Sequence, residues 1–163
     1  MIPPNVAFVG LGANLGDAQA SVRAAAARLG QLPATECLAL SRLYRTPAWG
    51  LEAQPDFINA VAMLRTGLEP LALLEHLLAV ERDFGRDRSR EQRWGPRRLD
   101  LDLLLFGDRV LDVPGLQLPH PRLHERAFAL VPLLEVAPDA WIPGHGYARD
   151  ALSGLEKSNI QPL

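Results

Sequence analysis

Residues 93–106 (Arg93-Trp94-Gly95-Pro96-Arg97-Arg98-Leu99-Asp100-Leu101-Asp102-Leu103-Leu104-Leu105-Phe106) constrain the fold more than any other stretch. The second half alternates apolar and acidic residues, the period of a strand. Leu99, Leu101, Leu103 and Leu105 are expected on one face, Asp100 and Asp102 on the other. Strand positions two apart are separated by roughly 6.6 Å, so two carboxylates project side by side from a stiff support. Asp is disfavoured in strands, and two on one face of an apolar run require a reason. One is a hard cation wanting oxygen ligands, Mg²⁺ above all. The plainer one is a solvated edge strand after a charged loop. The first half is basic, is turned by Gly95-Pro96 and carries Trp94. Cations for phosphates beside carboxylates for metal are the inventory of phosphoryl transfer. A loose Arg/Trp loop running into a rigid Asp strand is the expectation.

At 163 residues the chain is expected to form one domain, 1–163. No apolar run reaches the roughly 18 residues of a membrane span, and no secretory signal is visible at the N-terminus. The single cysteine, Cys37, precludes an intramolecular disulfide and fits a reducing compartment. It is read as a small buried residue of a strand. A net charge of −2 gives no reason to expect nucleic-acid binding. The charge distribution says more: of 16 Arg, seven fall between residues 81 and 98, against one Lys in the whole chain. Arginine offers planar bidentate contacts to phosphate oxygens.

Residues 5–11 read as a buried first strand, and 12–16 as a turn with Asp17 as helix N-cap. A helix over 18–29 follows, ended by Gly30. Gly10, Gly12 and Gly16 are spaced one residue too long for a dinucleotide loop and suit a tight strand-to-helix turn near a ligand. Strands are expected over 37–45 and 57–66. The loop of two prolines between them, with Trp49, exceeds a hairpin turn. Phe57 and Asn59 face the same way, and a buried Asn must find partners. Glu69-Pro70 opens a second helix, with Leu71, Leu74, Leu77, Leu78 and Phe84 or Glu81 as its stripe. The Asp strand, 98–106, follows the Arg loop. Gly107-Asp108 signals a hairpin returning through 109–111. Leu118-Pro119-His120-Pro121 is a rigid bend, and 123–136 a third helix kinked at Pro132. A short strand at Trp141-Ile142 and a terminal helix near 149–156 complete the reading. The order is β-α-β-β-α-β with extensions. The fold class is therefore α+β: a ferredoxin-like antiparallel sheet with two helices on one face, plus a C-terminal hairpin and helix. The ligand site is expected on or beside the other face.

Several blocks stand together: Gly10-Leu11-Gly12-Ala13-Asn14-Leu15-Gly16, Tyr44-Arg45-Thr46-Pro47, Gln54-Pro55-Asp56-Phe57-Ile58-Asn59-Ala60, Arg93-Trp94-Gly95-Pro96-Arg97-Arg98-Leu99-Asp100-Leu101-Asp102, Pro119-His120-Pro121 and Arg126-Ala127-Phe128. With them the chain resembles the 6-hydroxymethyl-7,8-dihydropterin pyrophosphokinase family over nearly its whole length. The resemblance implies a folate-pathway enzyme in which the pterin hydroxymethyl oxygen attacks the β-phosphorus of ATP, giving the pterin diphosphate and AMP. It implies two Mg²⁺ ions with the ATP and a cytoplasmic setting. Asp100 and Asp102 resemble the metal carboxylates, with Asp102 a candidate for deprotonating the hydroxymethyl group. Arg86 and Arg97 resemble the catalytic loop arginines. Glu81, Arg88, Trp94, Leu103, His120 and Arg126 resemble ATP contacts. Thr46, Trp49, Phe57, Asn59 and Phe128 resemble the pterin site, with Phe57 and Phe128 sandwiching the ring. From the residues alone, Phe57 and Phe128 read as core and His120 as a loop histidine.

The chain departs from the family in four places. The loop between Arg86 and Trp94 is one residue longer, Phe57 stands for a frequent Tyr, Pro121 for a frequent aromatic, and Gly115 where an Arg can occur. The partners expected are ATP and the pterin, with no nucleic acid or membrane, and a monomer. A non-catalytic binding module on the same fold is the competing reading. An RNA-binding sheet lacks its aromatic signature here, and a metal-dependent nuclease or phosphatase would leave the pterin residues idle.

Overall fold

The computed structural model describes residues 2–47, 55–85 and 99–163. Its centre is an antiparallel sheet. The strand β1 (Val6–Ala13) lies between β4 (Phe57–Thr66) and β5 (Asp100–Phe106). On its other edge β4 pairs with β2 (Thr35–Leu40) and then β3 (Tyr44–Thr46). The expected single strand over 37–45 is thus two, separated by residues 41–43. Two hairpins, β6 (Leu111–Val113) with β7 (Leu116–Leu118) and β8 (Trp141–Ile142) with β9 (Gly146–Tyr147), stand apart from the sheet. The final strand β10 (Gln161–Pro162) joins the sheet beside β3.

The helices α1 (Ala18–Leu29) and α2 (Pro70–Asp83) share one face of the sheet. Asp17 caps α1 by accepting from the Ala20 N–H at 3.1 Å, and Pro70 opens α2, as their residue types require. Val22, Ala25, Leu29, Leu73, Leu77 and Val80 meet Val9, Leu11, Ala60, Ala62 and Leu101 in the main core. The opposite face is covered in part by α3 (Ala127–Val136), entered through a short 3-10 turn at Leu123–Glu125, and by α4 (Ala148–Ser153). Phe8, Val61, Leu104 and Leu105 pack there against Leu130, Leu133 and Ala148. Mixed helix and antiparallel sheet, with two helices on one face, is the expected class.

Several local expectations are corrected. The alternation of the Asp strand breaks at Leu104. Val9 pairs with Leu103 but Phe8 pairs with Leu105, so Leu104 is the extra residue of a β-bulge. Leu105 consequently leaves the face of Leu101 and Leu103 and packs on the α3 side, while Phe106 returns to the helix side. In α2 the stripe is Leu73, Leu77 and Val80, and Leu71 is 47% exposed. Cys37 is exposed, beside a register shift between Cys37 and Ala39. The hairpin after β5 pairs residues 111–113 with 116–118 rather than returning along β5. Residues 12 and 13, expected in a turn, extend β1. The third helix begins at Ala127, after the 3-10 turn.

Candidate active site

Two cavities meet at the Asp strand. The floor of the larger one, about 660 Å³, is set by strand register. Gly12 of β1 lies opposite Asn59 on one side and Asp100 on the other; Gly10 lies between Val61 and Asp102. Alternation points all of these away from α1 and α2. Two glycines in β1 therefore open a trough between the Asn59 amide and the two carboxylates, neighbouring strands lying about 4.8 Å apart. The fit over Gly12 is close: a Cβ built there would come within 3.0 Å of the Asn59 Oδ1. Asn59 is 8% exposed and donates from Nδ2 to the Thr46 Oγ1 at 3.0 Å. That bond aims the amide oxygen into the trough. Phe57 and Phe128 line the same cavity with Thr46, Asn59, Asp100 and Asp102. The Arg126 guanidinium lies 5.7 Å from the Phe128 ring centroid, within cation–π range.

The smaller cavity, about 520 Å³, lies between α2, β5 and the β6–β7 hairpin. Leu74, Leu78, Asp102, Leu103, Gly115 and His120 are among its walls. Asp102 is common to both cavities. Gly115 and Pro121, two of the departures from the family pattern, both fall in this smaller cavity.

Among the described residues, hydrogen bonds from α2 and from the bend at His120 reach the backbone of the Asp strand. Glu81, 2% exposed near the end of α2, accepts from the Leu101 N–H at 2.7 Å. Leu101 stands between the two aspartates, and its amide points away from β1. The carboxylate thus satisfies a backbone donor on the open side of β5. On the bulge, the Leu104 carbonyl accepts from the His120 N–H at 2.9 Å. His120 Nδ1 in turn accepts from the Arg122 N–H at 3.1 Å, which leaves the ring proton on Nε2 as a donor. Burial, then the Arg126 and Arg122 charges, hold this imidazole well below its ordinary value, at about 4, against an opposing pull from Asp100.

Thr46, Phe57, Asn59, Phe128, Asp100 and Asp102 are thus brought together around one cavity, and Leu103, His120 and Asp102 around the other. Arg126, matched to an ATP contact by resemblance, lines the larger cavity, and Glu81 lines neither. Trp49, Arg86, Arg88, Trp94 and Arg97 lie outside the described residues, as does the expected looseness of the Arg loop. Sequence reasoning passed over Gly10 and Gly12 as trough-formers. Their parity with Phe8 was the available signal, since strand alternation puts residues 8, 10 and 12 on one face. It also passed over Leu155, Glu156, Asn159 and Ile160, which line the larger cavity and carry no sequence periodicity.

The family model for 7,8-dihydro-6-hydroxymethylpterin-pyrophosphokinase matches residues 8–138. The chain is 42% identical over 156 residues to the 2-amino-4-hydroxy-6-hydroxymethyldihydropteridine pyrophosphokinase of Pseudomonas aeruginosa, covering 96% of this chain and 95% of that protein. It is 43% identical to the enzyme of the same name from Methylorubrum extorquens, covering 95% and 96%. Among solved structures, the Plasmodium falciparum HPPK-DHPS with pteroate superposes with a TM-score of 0.72 at 12% identity, over 94% of this chain and 44% of that one. An HPPK-DHPS in complex with substrates gives 0.67 at 13% identity, over 93% and 43%. This chain spans less than half the length of those two, which show its fold alone.

Proposed function

The chain belongs to the 7,8-dihydro-6-hydroxymethylpterin-pyrophosphokinase family, and from that premise we infer that it transfers the diphosphate of ATP to the hydroxymethyl group of 6-hydroxymethyl-7,8-dihydropterin, releasing AMP in folate biosynthesis. The observation that carries this reading is the shared wall at Asp102. A nucleotide in the smaller cavity and a flat heterocycle in the larger one would present phosphate and hydroxyl to each other at the Asp pair.

The larger cavity suits a pterin. Its aromatic walls, Phe57 and Phe128, favour a planar ring, and the fixed Asn59 amide oxygen accepts from ring N–H groups. His120, neutral with a donor at Nε2, suits a phosphate oxygen. Asp100 and Asp102 fit Mg²⁺: they are half-buried, on one strand face, and both line the larger cavity. Among the described residues no cluster of three or more His, Cys, Asp or Glu side chains is found. Ions held by the Asp pair would complete their shell with phosphate and water. Two such ions, when bound, supply charge neutralisation and in-line alignment at the phosphates. Asp102 is the chain's candidate to take the hydroxymethyl proton. Arg86 and Arg97 are assigned to the transferring phosphates, and Arg88, Trp94 and Trp49 to substrate contacts, by resemblance alone. We read the strand order as ferredoxin-like, and the protein as a cytoplasmic monomer. No helix of the described residues is long and apolar enough to cross a membrane.

The test is product identity. Protein, Mg²⁺, ATP and 6-hydroxymethyl-7,8-dihydropterin are mixed, and adenine nucleotides are resolved by chromatography. AMP that forms only with pterin and Mg²⁺ is expected; ADP, or AMP indifferent to pterin, would sink the reading.

A further inference from the structure

The last ten residues have no role so far, and the family match stops at residue 138. The fold brings them to the trough. After α4 the chain turns through 154–160, closed by the Ile160 N–H to the Lys157 carbonyl at 3.1 Å. The Ser158 N–H donates to Glu156 Oε1 at 2.7 Å. Leu155 packs on the cluster formed by α3 and α4. Beyond the turn, β10 pairs antiparallel with β3, Gln161 opposite Arg45 and Pro162 opposite Tyr44. The Leu163 N–H donates to the Leu43 carbonyl at 2.9 Å. Carried one position further, that register sets Ile160 beside Thr46, the partner of Asn59. Leu155, Glu156, Asn159 and Ile160 accordingly form one wall of the larger cavity.

We propose that the segment 155–160 is part of the substrate site, with Ile160 as its specificity-determining contact and β10 as the anchor holding it there. This rests on assigning the larger cavity to the pterin. Ile160 is half-buried and lines the larger cavity, so an occupant of that cavity would complete its burial. An apolar side chain at that position excludes water from the Asn59–Thr46 pair, where a competing water would weaken hydrogen bonds to a heterocycle. β10 also covers the outer edge of β3, a duty that edge strands commonly need. Edge protection alone predicts effects on stability and none on discrimination between substrates, which separates the two roles.

The experiment uses Ile160→Asp, Ile160→Val and a chain ending at Lys157. Each is assayed for pterin-dependent AMP formation, for pterin affinity by intrinsic-fluorescence titration without ATP, and for thermal unfolding. Ile160→Asp is expected to raise both KM and Kd for the pterin about tenfold, the scale of losing one apolar contact with a ligand. KM for ATP and kcat at saturating pterin should stay within about twofold, and Ile160→Val should restore pterin affinity. The shortened chain should share the pterin defect and, because it also uncovers the edge of β3, unfold at a lower temperature. An active wild type whose Ile160→Asp variant keeps its pterin KM would overturn the tail's role alone. So would equal losses for both substrates accompanied by a lowered Tm. A wild type without pterin-dependent AMP would overturn the function itself, and the tail's role with it.

Discussion

Glu81 separates two ways of serving a nucleotide site. By resemblance it contacts ATP; in the structure its buried carboxylate accepts the Leu101 N–H between the two aspartates. Glu81→Ala leaves that donor without its side-chain acceptor in a residue 2% exposed, a loss of about 1–3 kcal/mol. The vacated side-chain volume adds to it, so about 3 kcal/mol in total is a fair expectation. For a chain of this size each kcal/mol shifts Tm by about 2–4 °C, so Glu81→Ala should unfold about 6–12 °C below wild type in a circular-dichroism melt. Glu81→Gln retains an acceptor oxygen of the same reach and should lose less than half as much. Activity should fall in Glu81→Ala because the strand carrying Asp100 and Asp102 loosens. A Glu81→Ala protein with wild-type Tm and a raised KM for ATP would refute this and return Glu81 to direct nucleotide contact.

Three further outcomes are expected. Asp102→Asn should cut pterin-dependent AMP formation by about a hundredfold or more with Tm within about 2 °C of wild type, because Asn keeps the size of a half-buried side chain at the wall of both cavities; steady-state rates and melts check both halves. Gly12→Ala should raise the pterin KM about tenfold with little change for ATP, since the new methyl group displaces the Asn59 Oδ1 now 3.0 Å from its position; unchanged pterin KM would mean that the amide oxygen does not read the ring. His120 resists protonation in the folded state, at about 4 against an ordinary 6.5, so the unfolded chain binds more protons between those values and stability falls as pH drops from about 6.5 to about 4. Urea titrations across that window should show the slope in wild type and a shallower one in His120→Gln.

What could be read from the sequence was local and periodic. The bounds of α1 and β4, the Asp17 cap and the Pro70 start follow from residue types whose preferences act over a few positions. The Asp pair, Phe57, Asn59 and Phe128 were legible by pattern or by resemblance. The burial of α2 was not, because Leu or Ala fills seven of its first ten positions and several faces are equally apolar; only packing against β5 chooses Leu73 and Leu77 over Leu71. Cys37 was misplaced because its exposure depends on a register shift in β2. The tail wall was invisible because two residues of β10 fix its place through pairing more than a hundred residues away.

The bulge at Leu104 shows how one unperiodic residue organises the chemistry. Strict alternation over 99–106 would turn Leu105 toward α2 and Phe106 toward α3. With one residue inserted, both Leu104 and Leu105 face α3, and Phe106 still reaches the main core. The inserted residue has no partner on β1, so its carbonyl is available elsewhere, and the His120 N–H takes it. A histidine at the smaller cavity is thereby fixed to the strand two residues beyond Asp102, while Glu81 holds the same strand one residue before it. The two clamps grip backbone rather than the carboxylates. They thus fix the strand that carries Asp100 and Asp102 at its backbone, which suits the proposed site, with a nucleotide in one cavity and an acceptor hydroxyl in the other.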